Sequence, residues 1–320
     1  MKNHLLHTLI FLLLWSGTFA QAGMWTWMNG DSVPNSLGVF GTQGVPSPLN
    51  HPPAVYEPAE FTDLQGNFWL FGGTDVNQDE YSDLWKYDPL INQWTWVKGT
   101  SLPNYPGYYG IKGVPSINNL PPTRAWGTAS WVDLNGDFWI YGGFGFYNSM
   151  NDFWKYHIAT NTWTWMHGST IPNQPPVYGV LGIPDTSNTP GSRYECNATW
   201  VDGNNLWLLG GFTSSTAGYA TNTLWKYDQL SNQWTWMKGS STPNDPGNYG
   251  TKGVPSFTNL PRARAAYCHW KDNNGNFWFL GGQLFQGYIL LMTCGCITRQ
   301  LISGLGKAEQ VYLTIMAIME

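Results

Sequence analysis

Asn151-Asp-Phe-Trp-Lys-Tyr156, followed after a short turn by Asn161-Thr-Trp-Thr-Trp-Met166, is the stretch on which the fold turns. Aromatic and β-branched residues crowd both halves, and such residues favour a pleated, half-buried surface. Trp163 and Trp165 lie two apart, so in a strand both point to one face. Upstream, Asp137-Phe-Trp-Ile-Tyr141 is a second apolar run closed by Gly142-Gly143, and Arg124-Ala-Trp-Gly-Thr-Ala-Ser-Trp131 is another, ending near Asn135-Gly136. Asn-Gly is the preferred pair of a two-residue hairpin, in which both turn positions need positive φ. A tight turn is therefore expected there and at Asn274-Gly275, and residues 124–166 read as four short antiparallel strands.

The pattern recurs along the chain. Trp-Thr-Trp begins at Trp25, Trp94, Trp163 and Trp234, in steps of 69, 69 and 71, and Gly-Gly pairs begin at Gly72, Gly142, Gly210 and Gly281, in steps of 70, 68 and 71. Two independent markers with one period identify an internal repeat. Full repeats span about 55–97, 124–166 and 193–237, with partial repeats at 24–28 and 264–283.

An apolar strand ending in Gly-Gly, then a Tyr, then six residues and a Trp, resembles the kelch repeat. Tyr87 to Trp94, Tyr156 to Trp163 and Tyr227 to Trp234 keep that spacing, and the resemblance covers residues 24 to 283. It implies an all-β, kelch-type β-propeller of four-stranded blades, incomplete in this chain. The period departs from the kelch norm of about 50 residues by about 20 more. The excess lies between the fourth strand of one repeat and the first of the next, as in 99–123, and recurs at 29–54, 168–193 and 239–264.

Composition agrees with this reading. Among 320 residues there are 37 Gly, 21 Pro and 20 Trp, which suits many short strands joined by turns rather than long helices. Only 11% of residues are charged and the net charge is -5, so no basic field exists to hold nucleic acid.

Lys2, the apolar run from Leu5 to Phe19 and the small residues of Ala20-Gln21-Ala22 read as a signal peptide over residues 1–22. The run is shorter than the ~20 residues of a spanning helix. The expected product is exported, to the periplasm, cell surface or medium, with no membrane span after cleavage.

Beyond Gly281-Gly282 the pattern stops: no Trp follows, and the chain reads Ile289-Leu-Leu-Met-Thr-Cys-Gly-Cys-Ile. A shifted reading frame accounts for it. Taking the last base of each codon with the first two of the next, Met292-Thr293 must encode Asp, and its neighbours permit Asn-Asp-Leu-Trp-Met-Tyr, the missing third strand. The junctions from Ser303 to Gly306 permit Trp-Thr-Trp, and Met316/Ala317 and Met319/Glu320 force Gly where Gly107 and Gly110 stand in the earlier insert. Residues 289–320 are therefore read as an out-of-frame tail, the propeller region as 23–288, and the parent as a longer protein. The half repeat is expected to leave an unpaired, aggregation-prone edge.

Antiparallel connections alternate between the two ends of a blade, so the long inserts share a face with the Gly-Gly loops, and a loop-rich face on a rigid scaffold is where binding usually resides. Phe40, Tyr108, Tyr109, Tyr178 and Tyr249 lie in the inserts and are candidate ligand contacts, with packing of the loops as the alternative. Arg124, Arg193 and Arg264 open the first strands, which line the channel of a propeller, with Ala54 counted at that place in the first repeat. They could receive an anion or sugar acid, or bond groups of their own repeat.

No catalytic constellation emerges. His51, His157, His167 and His269 do not cluster in the repeat frame, Cys294 and Cys296 belong to the tail, and Cys196 and Cys268 are expected as buried free thiols. No metal or cofactor is expected. The leading function is a non-catalytic protein- or glycan-binding module or scaffold. The resemblance also admits a galactose oxidase-like copper enzyme or a sugar epimerase, because one fold hosts many functions.

Overall fold

A computed structural model describes residues 25–196, 198–213, 219–265, 268–284, 290–300 and 310–317. The signal peptide expected over residues 1–22 lies outside the described residues. The chain is all-β, without an α-helix among the described residues, and forms four successive four-stranded antiparallel sheets. The first comprises Ala59–Thr62, Phe68–Phe71, Leu84–Asp88 and Gln93–Lys98; the second, Ala129–Val132, Phe138–Tyr141, Phe153–His157 and Thr162–His167. The third comprises Ala198–Asp202, Asn205–Leu209, Leu224–Asp228 and Gln233–Lys238. The fourth comprises Cys268–Lys271, Phe277–Leu280, Thr293–Gln300 and Gln310–Ala317. Within each sheet the strands run in chain order from inner to outer, the arrangement of a blade.

The cores lie between sheets. Ala59, Phe61, Trp69 and Phe71 of the first sheet meet Phe138, Ile140, Trp154, Tyr156 and Trp163 of the second. Ala129, Trp131, Trp139, Tyr141 and Phe153 then meet Leu206, Leu208, Trp225, Tyr227 and Trp234 of the third. Ala198, Trp200, Trp207 and Leu209 meet Phe277, Phe279 and Ile297 of the fourth. Each second strand thus carries one set of apolar side chains forward and the alternate set backward, which is why the second strands read as continuous apolar runs. Gly142 shows why the Gly-Gly pair recurs. Its φ is 66°, and a Cβ there would run into the carbonyl oxygen of Arg193 in the next sheet, while the Gly143 N–H donates to that same oxygen at 2.9 Å.

The Asn-Gly turns are wider than expected. Between Val132 and Phe138 only Gly136 takes positive φ, at 83°. Asp133 Oδ1 accepts the N–H groups of Asn135 at 2.9 Å and Asp137 at 3.0 Å, and its Oδ2 accepts Trp139 Nε1 at 2.9 Å. The carboxylate fixes a five-residue loop in which Asn135 needs no left-handed backbone, and Asp63 and Asp272 bind Trp69 and Trp278 in the same way.

Two further expectations change. Residues 25–28 join no sheet, and Trp25 is fully exposed. The half repeat, in turn, does not end at a bare edge: Phe277–Leu280 pairs with Thr293–Gln300, which pairs with Gln310–Ala317. Backbone pairing tolerates many sequences, so residues after 289 supply the third and fourth strands of the last sheet.

Candidate functional site

The inner strands alternate with period two. Their apolar residues enter the intersheet cores, which leaves Glu60, Ser130, Thr199 and His269 on the other side, in steps of 70, 69 and 70. These four, with Glu57, Thr128 and others, line a cavity of about 990 Å³ on the concave side of the sheets. Cross-links hold its wall: Ser130 Oγ donates to the Glu60 carbonyl at 3.3 Å, and Thr199 Oγ1 to the Ser130 carbonyl at 2.9 Å.

Glu57, on the cavity wall, stands on strained backbone that its repeat equivalents share. Pairing of Tyr56 with Thr74, Ala125 with Phe144 and Tyr194 with Phe212 makes Glu57, Trp126 and Glu195 equivalent. All three have positive φ, at 53°, 59° and 50°, a region costing non-glycine residues ~1–3 kcal/mol and persisting only where the surroundings enforce it. Here the enforcement is visible, because the N–H groups of Glu195 and Cys196 donate to the carbonyls of Trp126 and Gly127 at 2.8 and 3.0 Å. Tyr56 meets Trp126 edge to face at 5.5 Å. Burial raises the Glu57 carboxyl above its ordinary value, and its Oε2 has no hydrogen-bond partner among the described residues. Glu195 is pushed up to about 7, first by burial and then by the charge of Glu57.

This carboxylate pair was missed in the sequence. A signal existed: Glu57 and Glu195 are 138 residues apart, two periods of the repeat.

The three arginines take no part in the cavity wall. Each is fully buried and turned into its own sheet, donating through Nη1 to the first glycine carbonyl of the Gly-Gly pair: Arg124 to Gly142 at 2.9 Å, Arg193 to Gly210 at 2.9 Å and Arg264 to Gly281 at 2.8 Å. The strand register puts Val55, not Ala54, at this position in the first sheet.

The insert aromatics divide. Phe40 lies between Trp85 and Trp96 at 5.0 and 5.2 Å, Tyr109 between Trp154 and Trp165 at 5.0 and 5.1 Å, and Tyr178 between Trp225 and Trp236 at 5.6 and 4.8 Å. These rings clamp each insert onto the sheet that follows it. Tyr249 donates no such sandwich; its hydroxyl accepts Arg264 Nη2 at 2.9 Å. Tyr108 stands 57% exposed, the most open of the five, and a ligand could reach it without displacing a clamp.

The inserts also cover the outer strands. Asn119 Nδ2 donates to Val114 O at 3.0 Å and Trp163 O at 2.9 Å, and Asn50 and Asn188 repeat both bonds. His167, at the place of Lys98 and Lys238, bonds the insert carbonyl of Thr186 at 3.2 Å, a holding role like that of the lysines. Cys196 is buried as expected, whereas Cys268, on the inner strand of the fourth sheet, is exposed.

No family model matches the chain, and no curated protein matches it. Among solved structures it is similar to one described as the structure of YjhT, with 14% identity and a TM-score of 0.46 over 83% of this chain and 86% of that one. A likeness this loose carries no argument about function.

Proposed function

We propose that this chain is an exported kelch-type propeller module that binds a glycan or protein ligand at its loop-rich face without transforming it. The observation that carries the reading is the group around Glu57, which lines the cavity: the half-buried carboxylate of Glu195 and the paired rings of Tyr56 and Trp126 accompany it, with Glu57, Trp126 and Glu195 on backbone held in a strained conformation. Rings that offer apolar faces beside fixed hydrogen-bond acceptors suit a sugar, whose hydroxyls donate and whose C–H faces stack, so a glycan is the better fit of the two. Repeated clamps hold the surrounding loops, and a preorganised site loses less entropy on binding.

Calorimetric titration of the full chain with members of a glycan panel tests this. Saturable heat with the ligand recovered unchanged is expected, together with its loss in Trp126→Ala and in the double variant Glu57→Gln/Glu195→Gln. Turnover of the ligand, or binding indifferent to these changes, overturns it.

A further inference from the structure

The three intersheet cores repeat one set of contacts. Phe61 stacks on Phe138 at 4.4 Å and 10°, and Trp200 stacks on Phe277 at 5.0 Å and 11°. Trp69 meets Tyr156 at 6.2 Å, and Trp139 meets Tyr227 at 5.7 Å. Phe71 meets Trp163 at 5.1 Å, and Tyr141 meets Trp234 at 5.4 Å. Between the first two sheets a forward face presents inner- and second-strand residues, and the next sheet receives them with a second-strand ring, the Tyr of the third strand and the first Trp of Trp-Thr-Trp; the third sheet has Leu206 in place of that ring, and the fourth has Ile297 in place of the Tyr.

The two ends of the stack carry the unmatched halves of this set. By the strand registers, the forward face of the fourth sheet offers Trp270, Trp278 and Leu280, where Trp200, Trp207 and Leu209 stand in the third. The backward face of the first sheet offers Phe68, stacked over the buried Tyr87, and the half-buried Trp94, where Phe138, Tyr156 and Trp163 stand in the second. Trp270 is 42% exposed and Phe68 is 49% exposed, so the chain does not bring the two faces together itself. Trp270 and Trp278 stack on each other at 6.0 Å and 7°, forming a flat aromatic surface open to water. Contiguous exposed apolar surface of this kind marks an interaction site.

We infer that these faces mate between two copies of the chain, head to tail, with Trp270 of one copy stacking on Phe68 of the next as Trp200 stacks on Phe277 within the chain. The occupant follows from the contacts already on view, since the backward face of a repeat sheet is what the forward face receives in the first two cores, and Phe277 alone of that set receives Trp200 in the third. The interface is heterologous: two different surfaces meet, so copies either close into a ring or extend into a filament. Cys268, exposed on the forward face, is covered when the faces meet.

Light scattering on the purified full chain over about a hundredfold range of concentration tests the inference. The average mass is expected to rise above that of one chain. Trp270→Lys and Phe68→Lys alter opposite faces at exposed positions, so each should retain native circular dichroism and run as a monomer alone. Mixed in equal amounts they should form a dimer and no larger species, because one intact face of each kind remains. Alkylation of Cys268 in Phe68→Lys should slow on adding Trp270→Lys/Cys268→Ser, whose backward face is intact, and should be unchanged on adding a second portion of Phe68→Lys. A wild-type chain that stays monomeric throughout, variants that still self-associate, or a mixture that forms no dimer overturns the inference.

Discussion

Arg124 Nη2 lies 2.7 Å from Asp152 Oδ2, with both side chains fully buried, and Tyr109 donates its hydroxyl to the same carboxylate oxygen at 2.9 Å. The second sheet alone combines an Arg, an Asp and a Tyr at these repeat positions. The first sheet has Asp83 with Val55 and Phe40, and the third has Arg193 and Tyr178 with Thr223. The second sheet therefore gives a complete buried network, and its neighbours give natural variants with parts removed.

Breaking that network from one side leaves a buried charge without its partner, which typically costs ~3–5 kcal/mol, whereas replacing both partners by apolar groups is often near neutral. Arg124→Met should thus lower the unfolding free energy by about that amount. Arg124→Met with Asp152→Leu should recover a large part of it, as measured by urea denaturation.

Asp83 has no arginine at the matching place, where Val55 stands. Burial pushes its carboxyl up to about 7, against the bond it accepts from Trp85 Nε1 at 2.5 Å. The folded chain then holds a proton that the unfolded chain releases near pH ~3.9. Between these values the native state binds more protons, so this group makes stability fall as pH rises from about 4 through about 7, and level off above. Asp83→Asn should flatten that part of the pH profile, with the largest gain over wild type above pH 7. Denaturation across the pH range reads the slope.

Glu195 is held at about 7 by burial and by the charge of Glu57. Removing that charge leaves burial alone. In Glu57→Gln the Glu195 carboxyl should therefore titrate at a lower pH than in wild type, as followed by carbon NMR of the labelled carboxyl groups. An unchanged titration would show that the two groups do not face each other.

The repeat, the four-strand unit and the side on which the inserts lie were all legible in the sequence, because Trp-Thr-Trp and Gly-Gly mark positions that every sheet must satisfy in the same way. The carboxylate pair was not, since it depends on bringing Glu57 and Glu195 together from repeats separated by a third. Nor was the burial of Arg124, Arg193 and Arg264: their place at the start of an inner strand suggested the channel, but the glycine carbonyls behind them offer each guanidinium a closer acceptor. The fourth sheet shows the reverse case. Gly295 stands where Trp85, Trp154 and Trp225 stand in the others, and among the described residues Asn259 Nδ2 bonds only Val254 O, at 2.9 Å. Backbone pairing is complete there while the side-chain clamps are not, as expected of strands whose residues follow a different pattern from the repeat.

Tyr108 and Tyr109 are adjacent yet should respond in opposite ways. Tyr109→Phe removes a hydrogen bond to a buried carboxylate, worth ~1.5–3 kcal/mol, and Tyr109→Ala removes the ring from between two tryptophans as well. Tyr108→Ala alters an exposed side chain away from any clamp and should stay within about 0.5 kcal/mol of wild type. Unfolding curves for the three variants separate the packing residue from the one free to meet a ligand. If Tyr108→Ala proved as destabilising as Tyr109→Ala, its place outside the clamp would be wrong.

Gly110 carries the last requirement. Its φ is 63°, and a Cβ there would run into Asn119 Oδ1, the side chain whose Nδ2 ties the insert to Trp163. Gly41, Gly179 and Gly250 stand against Asn50, Asn188 and Asn259 in the same way. Gly110→Ala therefore adds backbone strain of ~1–2 kcal/mol and also pushes the asparagine off the outer strand. The outer-strand amides of the second sheet should then exchange with deuterium faster than those of the third, whose Gly179 is intact. Gly113→Ala is the control, because it shares a positive φ of 79° but meets nothing within 4 Å. It should cost the strain alone and leave outer-strand exchange as in wild type, so equal exchange in the two variants would show that the asparagine does not secure the edge.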